Sequence, residues 1–325
     1  MKGAAVRTPD SVTLDDIRAA ERRLRGLVVR TPLVRLQVDD APADIYLKLE
    51  NLQPIGSFKL RGASNALAQL TPAELAAGVW TASAGNMAQG VAWAARRAGV
   101  PCTVVVPENA PETKLAAITR FGARIVKVPY TDWWQVIVSH QHPGMDGHLV
   151  HPVSNPEVIA GNGTIGLELL EDLPDVDAVV VPYGGGGLAT GIATALRALK
   201  PDTRIYAAEV ETAAPFAAAL AAGKPVETSH TASFVDGIGG RSLLAEMWPA
   251  VSRLLDGSLV SSVAEIAAAV RLLVERSRVV AEGAGAAPVA AALAGKAGNG
   301  KVVCIVSGGN IDSAKLAKIL AGQVP

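Results

Sequence analysis

Apolar positions along the chain fall into two alternating patterns. Short apolar runs at Ile45–Leu49, Val79–Ala82, Thr103–Val106, Arg124–Val128, Ala178–Val181, Ile205–Glu209 and Val302–Val306 read as buried strands. Between them lie stretches with helical spacing. One is capped by Thr13, with Asp15 and Asp16 in its first turn, and stops near Gly26. Another starts at Ser57 and puts Leu60, Ala63, Leu67 and Leu70 on one face. Further helices are predicted over Asn86–Ala98, from Pro111 to Gly122, over Pro156–Leu173, and over 187–199, 263–278 and 312–320. Strand and helix in alternation predict an α/β fold with parallel strands and crossover helices. The βα pairs before the loop-like stretch QHPGMDGH form a compact central unit. This predicts a small domain over 53–152, with 1–52 and 153–325 forming a larger one.

Composition narrows the function classes. The 325 residues include 30 basic and 30 acidic ones, and 50% are hydrophobic. Zero net charge removes the electrostatic basis for binding nucleic acid or an anionic membrane surface. No apolar run reaches the length of a membrane span, and the N-terminal MKGAAVRTPDSVTLDD turns polar where a signal peptide would be apolar. Cys102 and Cys304 sit in apolar strand-like runs and suggest neither a disulfide framework nor a metal site. A soluble cytoplasmic protein is expected.

Several strands run straight into Gly-rich or polar turns, which is where open α/β sheets bind ligands. Gly184, Gly185, Gly186 and Gly187 separate the strand AVVVP from a helix. Without Cβ atoms, consecutive N–H groups can gather on an anion at a helix N-terminus, favouring a phosphate cradle over a flexible turn. No Gly-Lys-Ser/Thr follows, so this is not a P-loop. Lys59, in the segment PIGSFKLRG, lies in a first helical turn, where the helix dipole disfavours a cation and promotes the neutral, nucleophilic amine. Ser83-Ala84-Gly85-Asn86 exposes backbone donors suited to a carboxylate, although simple helix capping by Ser83 or Asn86 explains it equally well. Ser307-Gly308-Gly309-Asn310 repeats the pattern after another strand. His140, His142, His148 and His151 straddle Pro143, Gly144 and Gly147 without metal-ligand spacing and read as a surface loop. Trp133-Trp134 reads as packing.

Taken together, Pro54–Gly62, Ser83–Asn86 with Ala88-Gln89-Gly90, Gly184–Leu188 and Ser307–Asn310 resemble the fold-type II pyridoxal-phosphate enzymes, especially the serine/threonine dehydratase and serine racemase group. The resemblance spans nearly the whole chain. It implies two open twisted sheets flanked by helices, with pyridoxal 5'-phosphate between a large and a small domain, in a homodimer. It further implies that Lys59 forms the Schiff base, Phe58 lies against the ring and Asn86 hydrogen-bonds the ring hydroxyl. Gly184, Gly185, Gly186, Gly187 and Leu188 would bind the phosphate, and Ser307 would contact the pyridine nitrogen. Ser83, Ala84, Gly85, Asn86 and Met87 would hold the substrate carboxylate.

The activity this implies is loss of water from L-threonine, L-serine or a related β-hydroxy amino acid to give an enamine, which hydrolyses to a 2-oxo acid and ammonia. A racemase or β-replacement synthase is the alternative within the family, and a non-catalytic amino-acid-binding module the alternative outside it. Two departures stand out. Met87 occupies a position where many relatives have His, which opens the polarity of the substrate site to question. Glu209 is followed by VETAAPF, with Ala214 and Pro215 where metal-dependent relatives carry an acid. Glu209 is thus a weak candidate cation ligand, and no metal is expected.

Overall fold

The computed structural model describes residues 7–325; the first six, where the polar N-terminal stretch begins, lie outside the described residues. Ten strands form two sheets among them: β1 (Leu33–Arg35), β2 (Asp44–Lys48), β3 (Val79–Ala82), β4 (Cys102–Pro107), β5 (Arg124–Val128), β6 (His148–Leu149), β7 (Ala178–Pro182), β8 (Arg204–Val210), β9 (Gly257–Ser261) and β10 (Lys301–Ile305). The six-stranded sheet runs β1-β2-β10-β7-β8-β9 and is parallel except for the β1–β2 pair. The four-stranded sheet runs β5-β4-β3-β6 and is parallel throughout. The chain is therefore α/β with two helix-flanked sheets.

Every side chain of β7 is buried, as a central parallel strand covered on both faces requires. One apolar cluster of the large sheet includes Val179, Val181 and Ile305, and the other includes Val180, Val302 and Cys304, so alternate residues of one strand serve opposite faces. The small sheet has the same two-sided burial, with Val104 and Val106 on one side and Val105 on the other. Trp133 and Trp134 pack against the latter cluster.

Helix Leu14–Leu24 is capped as its sequence predicts: Asp16 N–H donates to Thr13 Oγ1 at 3.2 Å. Helices Asn86–Ala98 and Gly187–Leu199 match their predicted spans. Two helices differ from the pattern-based reading. The one expected from Ser57 begins at Lys59, because Ser57 is held in an extended bridge to Gly308. The one expected over 263–278 is α-helical for Val263–Leu272 and then widens into a π-type turn, Leu273–Ser277, which Arg278 ends in a left-handed conformation. Among the described residues no helix is long and apolar enough to cross a membrane.

Candidate active site

The C-terminal ends of β3, β7 and β10 carry the turns Ser83–Asn86, Gly184–Gly187 and Ser307–Asn310, and short links stitch the last of these to the Lys59 segment. Phe58 N–H donates to the Ser307 carbonyl at 2.9 Å, and Gly309 N–H donates to the Gly56 carbonyl at 2.9 Å. Lys59 is the first residue of helix Lys59–Leu67, and its Nζ lies 5.1 Å from the Phe58 ring centroid. That nitrogen donates to the Pro152 carbonyl at 3.0 Å. Desolvation lowers its pKa to about 8, against the opposing pull of the Glu282 carboxylate. The first helical turn alone predicts such a depression through the helix dipole; in the structure burial is the leading cause. Either way, a neutral amine is within reach near neutral pH.

The tetraglycine loop packs against Val153, the residue after the Pro152 to which Lys59 donates. Gly186 adopts φ 94° as the N-cap of helix Gly187–Leu199, a conformation that side-chain-bearing residues rarely take. Val153, next to Pro152, packs so closely that a Cβ on Gly187 would stand 2.5 Å from its carbonyl oxygen, and one on Gly185 would overlap its side chain. Among the described residues, no N–H from Gly184 through Leu188 has a hydrogen-bond partner. The Leu188 side chain is buried in the core, so that residue offers only its backbone. Unpartnered N–H groups at a helix N-terminus form a ready anion site.

The Ser83–Met87 turn faces open space: a Cβ on Gly85 would meet nothing within 4 Å. Ser83, Ala84, Gly85 and Asn86 are partly exposed there, and Gly85 N–H donates to Ser83 Oγ at 3.2 Å. Met87 departs from the sequence reading. Its side chain is 2% exposed and belongs to the apolar cluster of the small sheet with Leu67 and Val91, so it does not set the polarity of the open turn. Asn86 Nδ2 donates to Glu282 Oε1 at 2.8 Å, while Asn86 Oδ1 accepts from Asn310 Nδ2 at 2.8 Å. Glu282 immediately precedes the helix Gly283–Leu293, whose sequence GAGAAPVAAAL is apolar all round and shows no helical stripe. An acid before such a run reads as a cap, yet this one makes no side-chain cap and turns toward Asn86 instead. Burial, and then repulsion from Asp236, raise the Glu282 pKa to about 7.

Two other candidates stand apart from this constellation. Glu209, at the end of β8, accepts from Phe216 N–H at 2.9 Å, Ala217 N–H at 2.8 Å and Ser258 Oγ at 2.6 Å. It caps the helix Pro215–Ala222 from inside the protein, and burial raises its pKa. Its oxygens are thus already in use. Of the four histidines, His151 is buried rather than on a surface loop, and its ring stacks on His140 at 4.2 Å between centroids. His140 Nε2 lies 3.0 Å from Glu246 Oε1, and potential ligand atoms of these three residues fall within 4.8 Å. Metal binding there conflicts with the geometry. The rings are 21° from parallel and cannot aim lone pairs at one ion, and both His151 nitrogens already have partners, Nδ1 with Ser154 and Nε2 with the Ile137 carbonyl. Burial holds His151 neutral, with a pKa of about 3.

Comparison with known proteins agrees with this geometry. The family model for the pyridoxal-phosphate dependent enzymes matches residues 24–308. An L-threonine ammonia-lyase of Thermotoga maritima is 40% identical over 314 residues, covering 95% of this chain and 78% of the relative. The catabolic L-threonine dehydratase TdcB of Escherichia coli K12 is 39% identical over 315 residues, covering 95% and 96%. Among solved structures, maize serine racemase superposes with a TM-score of 0.87 at 34% identity, covering 96% of this chain and 98% of that one. The T.th. threonine deaminase gives 0.85 at 37% identity, covering 92% and 99%. A family match over most of the chain, with a half-buried lysine and a glycine cradle unpartnered among the described residues, makes this chain a member of the pyridoxal-phosphate dependent enzyme family.

Proposed function

We propose that the chain is an ammonia-lyase that converts L-threonine, L-serine or a related β-hydroxy amino acid to a 2-oxo acid and ammonia. The observation that carries the reading is Lys59, an amine with its pKa lowered to about 8, anchored to Pro152 on the same turn that backs the tetraglycine loop. The relatives named threonine ammonia-lyase and threonine dehydratase support the substrate class.

The residues present fit the family's cofactor. Among the described residues, the N–H groups of Gly184, Gly185, Gly186, Gly187 and Leu188 lack partners and suit its phosphate, and the buried Ser57 hydroxyl is likewise without one. Lys59 would hold the cofactor through Nζ, Phe58 would lie along its ring, Asn86 would donate to the ring oxygen, and Ser307 would meet the ring nitrogen. Bound there, pyridoxal phosphate supplies a sink for the electron pair left at the α-carbon. Lys59 would take the α-proton at Nζ. The open turn Ser83–Met87 binds the substrate carboxylate through main-chain N–H groups, which fixes which α-substituent faces Lys59.

The likeness to maize serine racemase favours a second reading, racemisation. Racemisation needs an acid on the face of the α-carbon opposite Lys59, at the position before Gly85-Asn86, and Ala84 has no proton to give. Elimination is therefore the reading adopted. We further propose a cytoplasmic homodimer, with residues 53–152 as the smaller domain and 1–52 and 153–325 as the larger one. Cys102 and Cys304, both buried and free, suit a reducing compartment. Leu52 and Val280, exposed on segments joined by the hydrogen bond from Asn51 to the Val280 carbonyl, give a subunit contact a place to form.

The test has two arms. Borohydride reduction of the reconstituted protein, followed by peptide mapping, should place the cofactor on Lys59. A panel of β-hydroxy amino acids should yield keto acid that disappears in Lys59→Ala. A label on another lysine, or keto acid from the Lys59→Ala protein, would sink the reading.

A further inference from the structure

We infer that Glu282 is a positioning residue that acts through Asn86, locking that amide so that its one unshared N–H points to the ligand. The inference rests on the functional reading above and adds a residue to it. The orientation is fixed by a chain of donors that begins at a group with no choice. The Ile55 carbonyl can only accept, and it takes a hydrogen bond from Asn310 Nδ2 at 2.9 Å. The nitrogen end of the Asn310 amide is thereby identified, and its second N–H goes to Asn86 at 2.8 Å. The Asn86 atom receiving it must be oxygen, so the other end of Asn86 is the nitrogen, and that nitrogen donates to Glu282 Oε1 at 2.8 Å. One Asn86 N–H remains, with no partner among the described residues. Without Glu282 the nitrogen end would have no fixed acceptor, and the amide could swing away from the cleft.

The surroundings are shaped for this carboxylate. A Cβ on Gly308 would stand 2.6 Å from Glu282 Oε1, and one on Gly237 would stand 3.4 Å from it. Glu282 N–H also donates to the Gly308 carbonyl at 3.0 Å, tying the acid to the β10 turn. The charged groups around it are Asp236, which disfavours its ionisation, and Lys114 and Lys59, which favour it. Lys114 and Lys315 in turn hold Asp236, at 3.0 and 3.6 Å. With a pKa of about 7, the carboxyl changes charge across the neutral range. As an anion it makes a charge-assisted acceptor for Asn86, which a neutral amide cannot reproduce.

The experiment compares holoenzyme of the wild type, Glu282→Gln, Glu282→Ala, Asn86→Ala and the Glu282→Ala/Asn86→Ala double variant. The readouts are the dissociation constant for pyridoxal phosphate and the visible absorption band of the bound cofactor from roughly pH 6 to 9. Glu282→Ala should weaken cofactor binding about ten-fold, and the double variant should be no weaker than Asn86→Ala by more than about two-fold, because the two residues act as one unit. Glu282→Gln, which keeps an acceptor, should bind within about three-fold of wild type but lose the spectral transition near neutrality. Additive losses in the double variant, or a wild-type transition surviving in Glu282→Gln, would overturn the inference. If Glu282→Ala fails to fold, Glu282→Asp serves in its place in the same cycle. A wild type that binds the cofactor on Lys59 and makes keto acid, but shows additive losses, sinks this inference alone. A wild type that takes up no cofactor sinks the functional reading, and this inference with it.

Discussion

Arg61, two residues after Lys59, is 1% exposed and sits in a buried quartet with Glu50, Glu168 and Lys48. Its Nε and Nη2 donate to the two Glu50 oxygens at 2.8 Å each, and Nη1 and Nη2 donate to Glu168 at 2.6 and 2.9 Å. Two positive and two negative groups cancel, so no net charge is buried. Replacing Arg61 with Met keeps much of the side-chain length but leaves Glu50, wholly buried, with only Thr31 at 2.6 Å and Gln53 at 3.2 Å as donors. Removing one partner from a buried pair typically costs about 3–5 kcal/mol, a large share of the roughly 5–15 kcal/mol that holds a domain folded. Linkage adds a pH signature. Burial works to raise the Glu50 pKa, and the Arg61 charge and hydrogen bonds outweigh it, so the folded value lies below the ordinary one. In the wild type that contribution is present above the unfolded carboxylate pKa and fades as pH falls through the lowered folded value. In the variant burial is opposed only by the Thr31 hydrogen bond and the Lys48 charge, so the folded value shifts upward, and the penalty shrinks as Glu50 takes up a proton on acidification. Urea unfolding at about pH 8 and again at about pH 5.5 measures both terms. Adding Glu50→Gln should recover more than half of the loss at the higher pH. A penalty below about 1 kcal/mol, the range of exposed pairs, or one independent of pH, would refute the reasoning.

The remaining predictions concern the site. Gly187→Ala should sharply reduce cofactor uptake in a binding titration, because its Cβ would meet the Val153 carbonyl, a backbone atom with little room to yield. Chelation by EDTA should leave the rate of keto-acid release unchanged, and added magnesium should not raise it, because three donors already occupy the Glu209 carboxylate. Chiral analysis of L-serine incubations should show keto acid with little inverted amino acid, and Ala84→Ser should raise the inverted fraction by supplying a proton donor on the second face.

The sequence alone determined the alternation of strands and helices, because burial on both faces of a parallel sheet writes itself as short apolar runs, as in Ala178–Pro182. It also marked Lys59, the tetraglycine loop and the Ser83 and Ser307 turns, since glycines and small residues before a helix leave a local signature whatever lies around them. The helix Gly283–Leu293 was not legible, because a helix buried on every side has no polar face to set its period. The partners of each site residue were equally out of reach of the sequence. Glu282 and Asn86 are 196 positions apart, and Lys59 and Pro152 are 93 apart, so their meeting depends on how the strand-end turns of two sheets face one another. Glu209 and Met87 carry the same lesson in reverse. Both looked functional by position, and packing turned one into a helix cap and sent the other's side chain into the core. Even the low pKa of Lys59, expected from its place in a helix, comes chiefly from desolvation. Local conformation is a property of short sequence, whereas burial and the pairing of distant charges belong to the folded chain as a whole.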